Sequence, residues 1–294
     1  MSDKKMKRDD LGNRMKTFYE QIPKTKLMRR TPVIIRIDGK AFHTFTEKFK
    51  RPFDDVLIKT MQETAKYLCE NVQGCSLAYT QSDEISLLLI DYLRFETFAW
   101  FDYEVQKMCS ISASIATMEF NRRFRNNVDE WVISGEIQEE SDSYTIGQLY
   151  KLQDAYIEAE EKGAMFDARV FNIPREEVTN YFYWRQLDAS RNSIQMVGQA
   201  NFSHNELQYK SCNDIQDMLM TQKGINWNDF PTYQKRGSCV VRNRIVLESN
   251  GVTEKCMLRD PKQGENNWII DKDIPIFKGE GREYIEQLIN VGEE

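Results

Sequence analysis

The sequence predicts an α+β fold whose core is an antiparallel sheet with helices on one face. Up to residue 173 the segments indicate strand, helix, strand, strand, helix and strand, and this βαββαβ order is that of a split βαβ unit. A short polar turn joins the second and third strands, which is typical of a hairpin. After residue 174 the pattern is mostly helical, with one small β element.

Each strand follows from an apolar run between turn signals. The run 32–37 is rich in β-branched residues and stops at Asp38-Gly39, which predicts a buried strand that ends in a turn. The polar residues 81–84 separate two further runs. The predicted strands are 32–37, 75–80, 85–90 and 164–171, with another strand-like run at 238–247.

The helices follow from apolar residues at helical spacing. Residues 54–71 open with two aspartates and continue with apolar residues three and four apart, which predicts an amphipathic helix. A longer amphipathic pattern covers 98–125. The stretch 127–162 is acidic and poorly periodic, and we expect a solvated insertion or an exposed helix there. Further helices are expected near 11–19, over much of 175–223 and near 282–289.

The composition excludes several classes of protein. Hydrophobic residues make up 40% of the 294 residues and aromatic ones 12%, which excludes a disordered chain. No run approaches the ~18 apolar residues of a membrane span, and the charged start indicates no secretory signal, so we expect a cytoplasmic protein. The 40 basic and 46 acidic residues give a net charge of −6, which on its own counts against a nucleic-acid partner.

Two carboxylates mark the ends of neighbouring strands. Asp38 closes the first predicted strand, and Asp83 lies in the turn between the second and third. The first and third strands are adjacent in a split βαβ sheet, so we expect these side chains to converge at one edge. With two histidines and no paired cysteines, zinc is not expected, whereas two carboxylates suit Mg²⁺ and nucleotidyl transfer. Taken singly, each position is also typical of an ordinary turn.

The loop after Asp38 adds a second sign of phosphate chemistry. Residues 39–43 leave the strand as a loop, and Gly39 permits close approach of the backbone to a ligand. Consecutive backbone N–H groups in such a loop can surround a triphosphate. The glycine spacing of a Walker A loop is absent.

Four sequence blocks resemble the tRNA-histidine guanylyltransferase superfamily, whose members add nucleotides to RNA 5′ ends in the 3′-to-5′ direction. The blocks are RIDGKAFH at 36–43, YTQSDEIS at 79–86, FDARV at 166–170 and WRQLD at 184–188. The resemblance implies a polymerase-palm fold and a nucleotidyltransferase. From the pattern along the chain we expect a palm-like catalytic domain over 1–173, with an N-terminal helix and the acidic insertion at 127–162, and a mainly helical region over 174–294 packed on it.

The resemblance also implies roles for individual residues. Asp38 and Asp83 match the catalytic residues, and together with the carbonyl of Gly39 they match a site for two Mg²⁺ ions. Positions that match nucleotide contacts are Gly39, Lys40, Ala41, Phe42, His43, Arg51, Asp54, Ser82, Lys107 and Arg169. ATP and GTP are the implied nucleotide substrates, tRNA is the implied partner, and a homo-oligomer, either a tetramer or a dimer, is expected.

Two segments distinguish branches of the superfamily. After the WRQ block the eukaryotic enzymes carry His-Ile-Asn-Asn-Leu-Tyr-Asn, whereas residues 190–196 read SRNSIQM. The missing histidine argues against specificity for histidine tRNA. Residues 11–16, LGNRMK, resemble the bacterial and archaeal like-protein branch, which is associated with template-directed repair of 5′-truncated tRNA. We therefore predict templated 5′-end addition after ATP activation of the 5′ phosphate.

Three alternatives stay open at this point. They are a guanylyltransferase restricted to histidine tRNA, a palm-type nucleotide cyclase and a non-catalytic RNA-binding module. Basic clusters at 24–30, 122–125 and 235–244 either line an RNA path or form solvated faces. Trp184 is expected to lie in the core.

Overall fold

The computed structural model describes residues 10–134, 146–242 and 268–290. Within these ranges the strands form one six-stranded antiparallel sheet. The strands are β1 Val33–Gly39, β2 Cys75–Gln81, β3 Glu84–Leu89, β4 Phe166–Asn172, β5 Ser238–Arg242 and β6 Trp268–Asp271. Their order is β4-β1-β3-β2-β5-β6, so the first four strands have the predicted split βαβ arrangement. Residues 243–247 of the fifth predicted strand lie outside the described ranges.

Helices cover both faces of this sheet. They are α1 Asp10–Met15, α2 Phe42–Phe45, α3 Asp55–Asn71, α4 Val105–Ile133, α5 Ile146–Lys162, α6 Arg175–Asn201, α7 His204–Leu207, α8 Cys212–Met218, α9 Thr232–Arg236 and α10 Glu283–Ile289. α3 and α4, the helices of the βαββαβ unit, lie on one face as predicted, and α5 packs on α4. The C-terminal α6 and α10 cover the opposite face.

The alternation of β1 explains this two-sided burial. Ile35 and Ile37 point into the core that contains α3 and α4, where Phe120 of α4 is fully buried. Ile34 points to the other side and packs with Phe182 of α6. Because both faces are covered, Val33, Ile34, Ile35 and Ile37 are fully buried, and Arg36 alone interrupts the apolar run before Asp38 at the end of the strand.

The long helix α4 begins later than the sequence pattern predicts. It starts at Val105 instead of residue 98 and continues beyond 125 to Ile133. Left-handed backbone at Phe101 and Asp102 prevents helix between 98 and 104, where Trp100 and Tyr103 are buried in a short turn. The aromatic residues of this turn produce the apparent amphipathic pattern.

The described residues of the acidic stretch 127–162, which are 127–134 and 146–162, contribute to the core. α4 extends into it, and α5 places Leu149, Leu152 and Tyr156 in the protein interior. The apolar residues of α5 recur at helical spacing on its inner face, while Glu158 lies on the exposed face. Of the two expectations, the helix is present over 146–162 with one exposed face, whereas the solvated insertion is wrong for the described residues, because net acidity concealed one apolar helix face. Residues 135–145 lie outside the described ranges.

Candidate active site

Asp38 and Asp83 lie at the same edge of the sheet, namely the edge formed by the end of β1 and the start of β3. β1 pairs with β3 so that Asp38 is opposite Glu84, the residue directly after Asp83. The backbone N–H of Gly39 donates a hydrogen bond to the carbonyl oxygen of Asp83 at 3.1 Å. The structure thus brings together the two carboxylates that the sequence singled out.

The turn between β2 and β3 has only two residues. Ser82 adopts a left-handed backbone with φ of 50°, which lets the chain reverse direction within this short distance. The next residue, Asp83, lines a cavity at the sheet edge. A tight turn between two paired strands fixes the backbone from which this carboxylate projects.

Negative charge is concentrated at this edge. Burial raises the pKa of the Asp83 carboxyl, and the charge of Asp38 acts in the same direction, whereas the Ser82 hydroxyl and His43 lower it. The Arg169 guanidinium lies 3.8 Å from the carboxylate of Asp38. A cation placed between the two aspartates would relieve their repulsion.

The oxygen atoms at this edge suit a hard cation shared with a substrate. In the part of the chain that the structure describes, no cluster of three or more His, Cys, Asp or Glu side chains is arranged to hold a metal. Mg²⁺ commonly binds one or two carboxylates, water and substrate phosphates. Asp38, Asp83 and the carbonyl of Gly39 therefore fit magnesium held jointly with a nucleotide, and they do not form a closed protein cage.

A cavity of about 480 Å³ opens beside Asp83. Such a volume is in the range of small-ligand sites, which is about 300–1,000 Å³. Its walls come from the β1–α2 loop, the segment before α3, the β2–β3 turn and α6. The predicted site residues that line it are Gly39, Ala41, Phe42, His43, Arg51, Asp54, Ser82 and Asp83. Residues far apart in sequence thus share one cavity.

The β1–α2 loop is held close to the sheet by packing. An ideal Cβ atom on Gly39 would lie 2.2 Å from the ring of Phe42, so only glycine fits this position. Ala41 has a left-handed backbone with φ of 53° and directly precedes α2. The Phe42 ring contacts those of Phe120 and Phe166 at centroid distances of 5.5 and 5.2 Å. These aromatic contacts anchor the loop that forms one wall of the cavity.

Asp54 has a structural role at the cavity wall. Its buried carboxylate caps α3 by accepting the N–H of Leu57 at 2.9 Å, and it also accepts the N–H of Lys50 and the hydroxyl of Tyr156. Burial raises the pKa of Asp54 despite these hydrogen bonds. Asp54 thereby fixes the segment that carries Arg51, whose exposed guanidinium is at the cavity rim.

The other four predicted residues do not line this cavity. Asp38 faces the sheet edge beside it, and Arg169 approaches Asp38 from β4. Lys40 is exposed, and its N–H donates to the carbonyl of Met165. Lys107 lies in the first turn of α4, where its ammonium is 3.7 Å from Glu104. Within one chain Lys107 is therefore not brought to the cavity, and its predicted nucleotide contact stays a prediction.

Several residues at the site carried no recognisable signal in the sequence. Met196 and Gln199 of α6 line the cavity, although they lie more than 110 residues after Asp83. Only tertiary packing places this helix at the sheet edge.

Trp184 of the same helix is 51% exposed, so the expectation of a core position is wrong. Its ring lies over the Arg185 guanidinium at 4.5 Å.

A palm-type sheet with two convergent carboxylates beside a nucleotide-sized cavity defines a class of proteins, the palm nucleotidyltransferases. The family model described as Thg1, tRNAHis guanylyltransferase, matches residues 12–174, and the chain belongs to this family. The predicted superfamily and the nucleotidyltransferase class are thereby confirmed.

Solved structures of bacterial relatives support the like-protein branch. A bacterial tRNA(His) guanylyltransferase (Thg1)-like protein in complex with ATP is 39% identical, with a TM-score of 0.72 over 96% of this chain and 100% of that chain. Another such structure, in complex with GTP, is 38% identical, with a TM-score of 0.69 over 96% and 99% of the two chains. These similarities confirm the predicted branch and fold.

Curated relatives are more distant. The tRNA(His) guanylyltransferase of Debaryomyces hansenii is 27% identical over 270 residues, which cover 85% of this chain and 89% of that protein. An uncharacterized protein of Acanthamoeba polyphaga mimivirus is 26% identical over 256 residues, covering 82% and 80%. Among the described helices, none has the length and apolar character needed to cross a bilayer.

Proposed function

We propose that this protein adds nucleotides to the 5′ end of tRNA in the 3′-to-5′ direction, reads the opposite strand as template and thereby repairs 5′-truncated tRNAs. The observation that carries the chemistry is the convergence of Asp38 and Asp83 beside the cavity. ATP and GTP are the proposed nucleotides, in line with the bacterial relatives whose structures contain them.

The wall formed by α6 supports templated addition over recognition of one tRNA. Residues 190–196 replace the eukaryotic His-Ile-Asn-Asn-Leu-Tyr-Asn stretch, and Met196 at the end of this segment lines the cavity. The departure from the eukaryotic sequence therefore lies in the site itself. A methionine side chain adapts to differently shaped neighbours and offers no fixed hydrogen bond to one particular base.

The proposed reaction has two steps. The 5′ monophosphate of the tRNA attacks the α-phosphorus of ATP, which releases pyrophosphate and leaves an adenylylated 5′ end. The 3′ hydroxyl of the incoming nucleotide then attacks the 5′ phosphate, and AMP leaves. A tRNA with a 5′ triphosphate enters directly at the second step and loses pyrophosphate.

The role of each site residue in this reaction would follow from its position. Asp38, Asp83 and the Gly39 carbonyl would hold two Mg²⁺ ions, which lower the pKa of the attacking hydroxyl and offset charge on the leaving group. Arg51 and His43 at the cavity wall would orient the triphosphate by charge and hydrogen bonding. Arg169, which lies 3.8 Å from Asp38, would meet a phosphate of the RNA end.

A 5′-extension assay tests this function. The protein is incubated with Mg²⁺, ATP, all four nucleotides and tRNAs that lack one or two 5′ nucleotides, and the opposite base is varied. We expect addition of the nucleotide complementary to the template base in several tRNA species. Addition of guanylate to histidine tRNA alone would support the restricted guanylyltransferase, and release of a cyclic nucleotide without RNA would support a cyclase.

We further propose that the chain acts as a homo-oligomer. The N-terminal segment from Asp10 to Ile22 has no buried residue within one chain, and it exposes large apolar side chains. These are Leu11, Met15, Phe18, Tyr19 and Ile22. An apolar surface of this kind marks an interaction site. Analytical ultracentrifugation of the full chain, compared with a Phe18→Ser/Tyr19→Ser variant, tests this: the wild type should sediment as a dimer or tetramer and the variant as a smaller species.

A further inference from the structure

A buried ion pair joins α6 to the strand that follows the Asp83 turn. The Arg185 guanidinium donates two parallel hydrogen bonds to the carboxylate of Glu84, from Nε to Oε1 and from Nη2 to Oε2, each at 2.7 Å. The side chains are 7% and 5% exposed. Two short, parallel N–H···O bonds between buried charges fix both distance and orientation.

This pair directs both oxygens of the Glu84 carboxylate toward α6. Both carboxylate oxygens accept from Arg185, and Arg36 of β1 lies 3.7 Å away on the same sheet face. Asp83 and Glu84 are therefore consecutive acids with different tasks. Asp83 lines the cavity, while Glu84 is occupied by the neighbouring helix.

The pair also links two walls of the cavity, which are the β2–β3 turn and α6. Glu84 begins β3 directly after the Asp83 turn, and the carbonyl of Glu84 accepts the hydroxyl of Thr80 across the hairpin. On the helix side, α6 runs on from Arg185 to Met196 and Gln199, which line the opposite wall. The pair thus ties the strand that follows the turn to the helix that forms another wall of the cavity.

We infer that Arg185 and Glu84 form a positioning clamp that holds the Asp83 carboxylate in the geometry required for nucleotidyl transfer. The inference rests on the proposed function in that Asp83 is taken to hold the metal there. Loss of a group that orients a metal ligand typically lowers metal affinity or activity about 10- to 100-fold.

The test separates positioning from folding by means of a double variant. Glu84→Leu/Arg185→Met replaces the buried pair by apolar groups of similar size, an exchange that commonly preserves stability. Asp188, which also accepts from Arg185, keeps its ion pair with Arg191 in this variant. Tyr181→Phe is the matched control, because it removes the 2.9 Å hydrogen bond to Ser86 one turn earlier at the same helix–strand contact.

Three quantities are compared: the unfolding temperature, kcat and KM for 5′ addition, and Mn²⁺ binding by electron paramagnetic resonance without nucleotide or RNA. We expect the double variant to unfold near the temperature of the control, to lose about 10- to 100-fold in kcat and to bind Mn²⁺ correspondingly more weakly. Arg185→Lys, which keeps the charge but not the paired hydrogen bonds, should lose part of kcat.

Two results would overturn the clamp. One is a double variant that keeps the kcat and the Mn²⁺ affinity of the wild type. The other is an Arg185→Lys variant whose activity falls only in proportion to its loss of folded protein. A wild-type protein that extends no tRNA contradicts the proposed function instead, and the Mn²⁺ comparison among the variants still reports on the clamp.

Discussion

The backbone N–H of Gly39 donates to the carbonyl oxygen of Asp83 at 3.1 Å, and this bond ties the end of β1 to the β2–β3 turn. It joins the two segments through main-chain atoms, which substitution of either aspartate leaves in place. Substitutions of Asp38 or Asp83 should therefore change the chemistry of the site while leaving its framework in place.

Replacing the Asp83 carboxylate by an amide should separate activity from stability. Asp83→Asn should lower kcat for 5′ addition at least about 100-fold, the scale on which a group that stabilises transition-state charge acts. Burial raises the pKa of Asp83, so the neutral amide removes a desolvation cost and the free energy of unfolding should be unchanged or higher. Steady-state kinetics and urea unfolding measure the two quantities.

Asp167→Asn is the matched control for that variant. Asp167 is opposite Asp38 on β4, at the same level of the sheet, but its side chain is 59% exposed and does not line the cavity. The control should retain activity near that of the wild type. A loss of less than tenfold for Asp83→Ala would contradict the assignment of Asp83.

Adding one methyl group at Gly39 should disrupt the cavity wall. The new Cβ would lie within 2.8 Å of three carbon atoms of the Phe42 ring, which is enclosed by other aromatic rings and cannot withdraw. Gly39→Ala should lower the free energy of unfolding by about 1–3 kcal/mol and impair activity. Gly147→Ala in the first turn of α5 would meet no atom within 4 Å and should leave the free energy of unfolding unchanged or raise it by up to about 1 kcal/mol. Wild-type stability and activity of the Gly39 variant would refute the close approach.

Arg51 should affect nucleotide binding more than the chemical step. Its guanidinium is exposed at the cavity rim, and its hydrogen bond to the carbonyl of Glu47, at 3.3 Å, is long and easily exchanged for a phosphate. Losing one charge-assisted bond of about 1.5–3 kcal/mol should raise KM for GTP roughly 10- to 100-fold. Lys59→Ala removes a cation on α3 that pairs with Glu130 and does not line the cavity, so KM should stay unchanged. An Arg51→Ala variant with an unaltered KM and a reduced kcat would exclude this role.

The sequence predicts the parts of the site that are built from residues close together in the chain. β1, the β2–β3 hairpin and their polar ends follow from short patterns, and strand adjacency then brings Asp38 and Asp83 together. The α6 wall depends on how a distant helix packs, and no local pattern encodes that. Trp184 illustrates the limit, because a core position is the expectation from the sequence whereas the side chain is half exposed on α6.

Charge clusters are similarly ambiguous in sequence. Many of the basic residues that seemed available for RNA are paired within the chain: Arg29 with Asp91, Arg123 with Glu119 and Arg125 with Glu160. The partners lie 4 to 62 residues away, so counting cations along the sequence overstates the positive surface. Arg244 lies outside the described ranges.

The stability of the cavity wall should depend on pH through Asp54. Burial raises the pKa of its carboxyl in the folded protein above the unfolded value of about 3.9. The folded state therefore holds this proton more tightly than the unfolded state does. The stabilising effect of protonation is complete below the unfolded pKa and is lost as the pH rises through the folded pKa.

Urea unfolding of the wild type and Asp54→Asn between pH 4 and pH 8 measures this effect, because other titrations cancel in the difference between the two. We expect the unfolding free energy of the wild type, relative to the variant, to fall as the pH rises and then to level off. In the wild type the hydroxyl of Tyr156 donates to Asp54 at 2.7 Å, and this hydrogen bond lowers the pKa of Asp54. Tyr156→Phe removes the hydroxyl. In this variant the fall in unfolding free energy should extend to higher pH. The free energy of unfolding itself should be lower by about 1–2 kcal/mol. A difference in unfolding free energy between wild type and Asp54→Asn that increases with pH would contradict this, because it would show that hydrogen bonds lower the pKa of Asp54 by more than burial raises it.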